Sequence, residues 1–176
     1  MTETDTPILV VVGGPPGAGK STVARALADE LSLPLVAKDD FKETLFRFLP
    51  ASTIPETRVL GTASFALLFQ VAGEILGAGG SAIVEGNFGD PEPFAALPPA
   101  RIVQLHLSAP PDVLLERYLR RPRHQGHQTE AYAPEIRARI ASGEWEPPAL
   151  PGRLIRVDTG AGSVDVPDLV DHVTEP

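Results

Sequence analysis

Apolar positions along the chain follow two alternating rhythms. Short runs rich in β-branched residues read as buried strands at Ile8–Val12, Leu35–Ala37, Ala82–Glu85, Ile102–Leu107 and Leu154–Val157. Between them, apolar residues return every three or four positions. This spacing predicts helices near Lys20–Leu31, Phe41–Leu49, Glu56–Leu76, Pro111–Arg120, Glu135–Ala141 and Pro167–Val173. Alternating strands and helices predict an α/β fold, a parallel sheet covered on both faces. Turn-rich clusters at 77–80, 91–99 and 147–152 punctuate the pattern, but none is long enough for an interdomain linker, so 1–176 reads as one domain. The apolar stretch from Val59 to Ala78 has about the length of a membrane span. Thr62, Ser64, Gln70, Gly73, Glu74 and Gly77 interrupt it, which favours a buried crossover helix.

Composition narrows the function classes. Hydrophobic residues make up 43% of the 176 positions and charged residues 22%, as in ordinary soluble domains. A net charge of −8 argues against a broad electrostatic grip on nucleic acid, while leaving room for a local basic site. With no cysteine, disulfides, thiolate metal sites and thiol nucleophiles are excluded. The start, Met1-Thr2-Glu3-Thr4-Asp5, is polar and acidic, unlike a secretory signal, so a cytoplasmic location without membrane contact is expected.

The first strand-to-helix turn is Gly14-Pro15-Pro16-Gly17-Ala18-Gly19-Lys20-Ser21, followed by Thr22. Gly, four free positions, Gly, Lys, then Ser or Thr is the phosphate-binding loop pattern. Its glycines allow close backbone approach, and the helix N-terminus aims N–H groups at an anion. Lys20 is expected on the β- and γ-phosphates and Ser21 on Mg²⁺, with Lys20 accessible to solvent at the helix start. ATP and Mg²⁺ are therefore the expected ligands.

Ligands of open parallel sheets bind beyond the carboxyl ends of the strands. After the second predicted strand come Lys38-Asp39-Asp40. Asp40 is expected to cap the next helix, leaving Asp39 free to take a proton from an attacking hydroxyl. Glu85 ends the third strand, where it suits the water shell of Mg²⁺ or an acceptor substrate, and Asn87 is a further substrate-binding candidate. Arg117, Arg120, Arg121 and Arg123 cluster where a helix runs into a loop, and Arg121 and Arg123 come ahead of Arg120 as phosphate contacts on a lid spanning about 117–142. His124 and His127 are too few for a metal site.

Four segments carry a family resemblance: GGPPGAGKST at 13–22, KDDFKETLF at 38–46, AIVEGNF at 82–88 and ERYLRRPRHQGH at 116–127. Together they resemble small P-loop phosphotransferases, a group including polynucleotide 5′-hydroxyl kinase, chloramphenicol phosphotransferase and zeta-toxin kinases. The resemblance implies a nucleoside-kinase type P-loop fold, five parallel strands ordered 2-3-1-4-5. It also implies Asp39 as general base, Arg121 on the nucleotide phosphates, and adenine near the lid and Asp158-Thr159-Gly160. Glu85 stands where polynucleotide kinase has an aspartate, and neither a basic surface nor an appended phosphatase domain is expected. The expected activity is transfer of the γ-phosphoryl group of ATP to a small hydroxyl-bearing acceptor. A polynucleotide 5′-kinase and a nucleotide-binding NTPase or regulator without an acceptor stay open.

Overall fold

The structure is a computed structural model that describes residues 6–121, 129–142 and 144–175. Five strands, β1 (Ile8–Gly13), β2 (Leu35–Ala37), β3 (Ala82–Glu85), β4 (Arg101–Ser108) and β5 (Arg153–Asp158), form one sheet ordered β2-β3-β1-β4-β5. Every pairing is parallel. The order implied by the family resemblance is therefore the observed one.

The helices are α1 (Lys20–Leu31), α2 (Lys38–Phe48), α3 (Ile54–Gly77), α4 (Glu92–Ala95), α5 (Pro111–Arg120), α6 (Thr129–Ala141) and α7 (Val166–Thr174). α4 lies inside the stretch 91–99 that the sequence pattern reads as turn. It is one helical turn whose buried Phe94 packs edge-on against Phe69 at 4.9 Å and Phe88 at 5.1 Å. So short a helix has no periodicity to read.

Strand alternation divides the core. Val10 and Val12 point to the face covered by α1, α5 and α7, where they meet Leu27, Leu105, Leu114 and Leu169. Leu9 and Val11 point to the other face, against Leu68, Ala72 and Leu76 of α3. α3 is long and apolar enough to cross a membrane by length and composition. Here its stripe of Leu60, Ser64, Leu68, Ala72 and Leu76 is buried against the protein. Its start is fixed by a capping box between Thr53 and Glu56, and the Ser64 hydroxyl donates to the Leu60 carbonyl at 2.6 Å. A third, smaller cluster of Tyr118, Ile136 and Trp145 holds α6 against α5.

α2 corrects one expectation. It begins at Lys38, directly from β2, with extended Ala37 as N-cap and no side-chain cap. Asp40 therefore lies inside the first turn and does not cap. Its exposed carboxylate stands 3.9 Å from Arg25. Both Asp39 and Asp40 still favour the helix, as negative charge in its first turn.

Candidate active site

The sheet register brings the candidate residues to one level. Glu85 pairs with Val12 of β1 and with Ala37 of β2. The phosphate-binding loop, the first turn of α2 and the end of β3 thus leave the sheet side by side. The loop is pinned from behind. A Cβ on Gly14 would stand 2.1 Å from the Leu107 carbonyl oxygen, and one on Gly17 2.3 Å from that of Leu114. Both positions also have positive φ, so glycine is required twice over. Ala18, fully buried, donates its N–H to the Pro15 carbonyl at 3.2 Å. Gly19 enters α1 in the left-handed region, and its carbonyl accepts from the N–H groups of Thr22 and Val23 at 3.1 and 3.2 Å.

Lys20 overturns its expected accessibility. It is 8% exposed, and its Nζ donates to the Pro15 carbonyl at 2.9 Å. The loop curls over its own lysine, which the motif alone does not reveal. The ammonium still borders a small pocket of about 30 Å³, lined by Pro16, Gly17, Gly19, Lys20, Ser21, Asp39, Glu85, Asn87 and Arg121. Nine candidates scattered over about a hundred positions of the chain meet there. Glu85 is only 4% exposed. Burial pushes its carboxyl above the usual range. Lys20 opposes that rise, Asp39 adds to it, and Lys38 and Arg121 oppose it more weakly.

Two larger cavities flank this pocket. One, of about 410 Å³, is lined by Gly19, Thr22, Val23 and Ala26 of α1, by Arg117 and Thr159, and by residues 162–164 and Val166. Arg117 donates to the Thr159 hydroxyl at 3.1 Å and to its carbonyl at 2.9 Å, tying α5 to the end of β5. The other is a cleft of about 420 Å³ between α2, α3, α5 and α6. Pro16, Asp39 and Asn87 line both the cleft and the small pocket. Asp39 accepts from Lys38 Nζ at 3.0 Å. Arg120 is solvated and paired with Glu116 at 2.7 Å, away from these cavities. Arg123, His124 and His127 lie outside the described residues. Among the described residues, no group of three or more His, Cys, Asp or Glu side chains could hold a metal alone.

The cleft contains residues that the sequence did not single out: Lys42, Arg58, Phe65, Tyr132, Arg139 and Trp145. Lys38 and Lys42 carried a signal, since they stand one helical turn apart beside Asp39. Arg58 and Arg139 come from distant helices and carried none.

A family model described as AAA domain (AAA_33) matches residues 9–143. The chain belongs to that family. P-loop nucleotide binding comes with the membership. A crystal structure of a candidate kinase from Chloroflexus aurantiacus superposes with a TM-score of 0.88 at 35% identity, covering 96% of this chain and 97% of that one. An uncharacterised protein of Mycobacterium tuberculosis is 31% identical over 151 residues, which is 78% of this chain and 30% of the relative. A shikimate kinase of Pseudomonas savastanoi is 35% identical over 106 residues, 56% of this chain and 58% of that enzyme. The chain thus spans under a third of the mycobacterial relative's length.

Proposed function

We propose that the protein is an ATP-dependent kinase acting on a hydroxyl of a small molecule. One observation carries this reading. Lys20, Ser21, Asp39, Glu85, Asn87 and Arg121 line a single small pocket, and Asp39 and Asn87 also line the adjoining cleft. A donor site and an acceptor site therefore share a carboxylate at their boundary. The relatives named as kinases support the same class. The finer likeness to polynucleotide 5′-hydroxyl kinase, chloramphenicol phosphotransferase and zeta-toxin kinases belongs to this reading as well.

The phosphates of ATP would lie on the loop N–H groups of residues 17–22, Pro15 and Pro16 having none, with Lys20 exchanging the Pro15 carbonyl for phosphate oxygen. The base would take the cavity beside Arg117 and Thr159. The donor set suits Mg²⁺, held by the Ser21 hydroxyl and by Glu85 through water, because this ion keeps most of its waters and phosphate ligands. When bound, it neutralises phosphate charge. Asp39 accepts the proton of the acceptor hydroxyl as the new P–O bond forms and the bond to the ADP oxygen breaks. Asn87 orients the acceptor, and Arg121, with Arg123, neutralises charge on the transferring group. Glu85 faces the small pocket and not the cleft, which favours its role toward the metal over one toward the acceptor.

A regulator without an acceptor fits less well, since Asp39 is not an N-cap and a cleft stands open beside it. A polynucleotide 5′-kinase is the second reading, favoured by the lysines and arginines near Asp39. The test is ADP formation from ATP against a panel of alcohol-bearing metabolites and a 5′-hydroxyl oligonucleotide. Acceptor-dependent turnover with a small molecule is the expected result. Tight ATP binding with no acceptor-dependent turnover would overturn the kinase reading.

A further inference from the structure

The acceptor cleft has the opposite charge to the protein around it. The chain carries a net charge of −8. The cleft is lined by four cations, Lys38, Lys42, Arg58 and Arg139, against two carboxylates, Asp39 and Glu135. Clefts of one sign with low-dielectric walls focus the field and concentrate ions of the other sign.

Three of the four cations, Lys38, Lys42 and Arg139, are partly or wholly covered, while Arg58 reaches in from the exposed surface of α3. Lys42 is the buried position of α2, at 9% exposure, where an amphipathic helix ordinarily places an apolar residue. Lys38 is nearly as covered, and its Nζ lies 5.6 Å from the centre of the Phe65 ring. Arg139 lies against the Trp145 ring at 4.4 Å, and its Nε is buried without a hydrogen bond, although Glu144 stands 3.0 Å away. That carboxylate sits at ion-pair distance but off line for the N–H.

Two of the guanidiniums already demonstrate what they recognise. Arg58 from α3 and Arg139 from α6 converge on the Glu135 carboxylate, at 2.8 and 3.7 Å. Planar anions with several oxygens suit such a pair of forks. Aromatic Phe65, Tyr118, Tyr132 and Trp145 supply the faces on which a carbon skeleton would rest. From this we infer that the acceptor is a small hydroxylated anion, a hydroxy acid or a sugar phosphate, whose charged end is held by Lys42, Arg58 and Arg139 while its hydroxyl meets Asp39 and Asn87. The inference rests on the kinase reading for its reaction, but the anion site itself does not need turnover to be tested.

Trp145, the single tryptophan of the chain, lines the cleft and reports its occupancy. Its fluorescence is titrated with aldonic acids and with sugar phosphates. Matched neutral alditols and a 5′-hydroxyl oligonucleotide are titrated alongside, and ADP formation from ATP is followed in parallel. At least one of the two anion classes should saturate the signal, and which one it is separates a carboxylate from a phosphate ester. Lys42→Met and Arg58→Gln should each weaken that binding about 10- to 100-fold, the loss expected for one contact to a charged group. The KM for ATP should stay unchanged. Melting temperature of each variant separates lost contact from lost fold, and Arg58→Lys should restore part of the affinity.

Neutral alditols that bind as tightly as the anions, and equally well to both variants, would overturn the inference. So would an absence of saturable binding by either anion class, or tighter binding of the oligonucleotide. Anion binding without ADP formation would leave the anion site standing and sink the kinase reading. Turnover of a neutral alditol alone would do the reverse.

Discussion

The two sides of Asp39 are built by different means. Toward the nucleotide, the wall is backbone. Gly14 and Gly17 are wedged under β4 and α5, and β1, which leads into the loop, is buried from Leu9 to Gly13. Toward the proposed acceptor, the wall is side chains from α2, α3, α5 and α6, joined across solvent by contacts such as Arg58 to Glu135. Such half-exposed ion pairs contribute about 1 kcal/mol or less. Tyr132 adds one hydrogen bond, from its hydroxyl to the Ile54 carbonyl at 3.2 Å. The first wall cannot vary without disturbing the sheet. The second can be rewritten at exposed positions such as Arg58 at little cost to folding. Changes on the nucleotide side should therefore strike turnover for every acceptor, and changes on the cleft side should strike the affinity for one.

The largest loss is expected where the two walls meet. Asp39→Asn keeps the shape and much of the hydrogen bonding but cannot take a proton, so phosphoryl transfer should fall on the order of 10²- to 10⁴-fold. ATP affinity, measured in parallel, should barely move. Near-normal transfer would show that the boundary carboxylate is not the base. Lys20 comes next. Because it is buried, truncation to alanine would confound lost charge with lost packing. Lys20→Met keeps most of the stem and should lower turnover about 10²- to 10³-fold, the range for removing one donor to a developing charge. Unchanged turnover in a folded Lys20→Met protein would break the assignment of the nucleotide wall.

That difference in construction also explains what the sequence could reveal. The nucleotide wall is local: one strand, one turn and one helix lie within residues 8–31, and their residue types are forced by backbone geometry. The parallel sheet was legible for the same reason, because buried strands announce themselves as apolar runs. The cleft is assembled from Lys42, Arg58 and Arg139, nearly a hundred positions apart, and no local rule joins them. The start of α2 was misjudged at Asp40 because Lys-Asp-Asp looks like a polar turn, yet the helix grows straight from β2. Lys20 is expected in solvent from the motif because a motif shows which residue is needed and not which carbonyl covers it.

A smaller effect tests whether Arg121 belongs with the nucleotide wall. Arg121 is exposed, borders the small pocket and ends α5. Arg121→Ala should lower transfer about 10- to 100-fold, as for one contact to a charged group. Its melting temperature should shift by no more than about 2 °C, as for an ordinary surface change. A large melting loss with normal specific activity would make the arginine part of the scaffold.

The smallest expected effect is one of stability, and its sign is opposite to that on activity. Glu85 is the one buried carboxylate of the nucleotide wall, and burial raises its pKa. A carboxyl whose folded pKa lies above its unfolded value favours the native state when protonated. That contribution is fully present below the unfolded pKa, ordinarily near 4.5. It is lost as pH rises through the raised folded value, because the buried group must then ionise. Glu85→Gln stays neutral throughout. Without nucleotide or metal, the variant should melt at a higher temperature than the parent protein at pH 8. The gap should close as the pH falls toward 4. Turnover should drop in the same variant, since glutamine lacks the charge proposed to face the hydrated metal. Equal melting temperatures at every pH would mean that Lys20 fully compensates Glu85. The two would then act as a preformed ion pair, and the nucleotide wall would carry no electrostatic strain awaiting a cation.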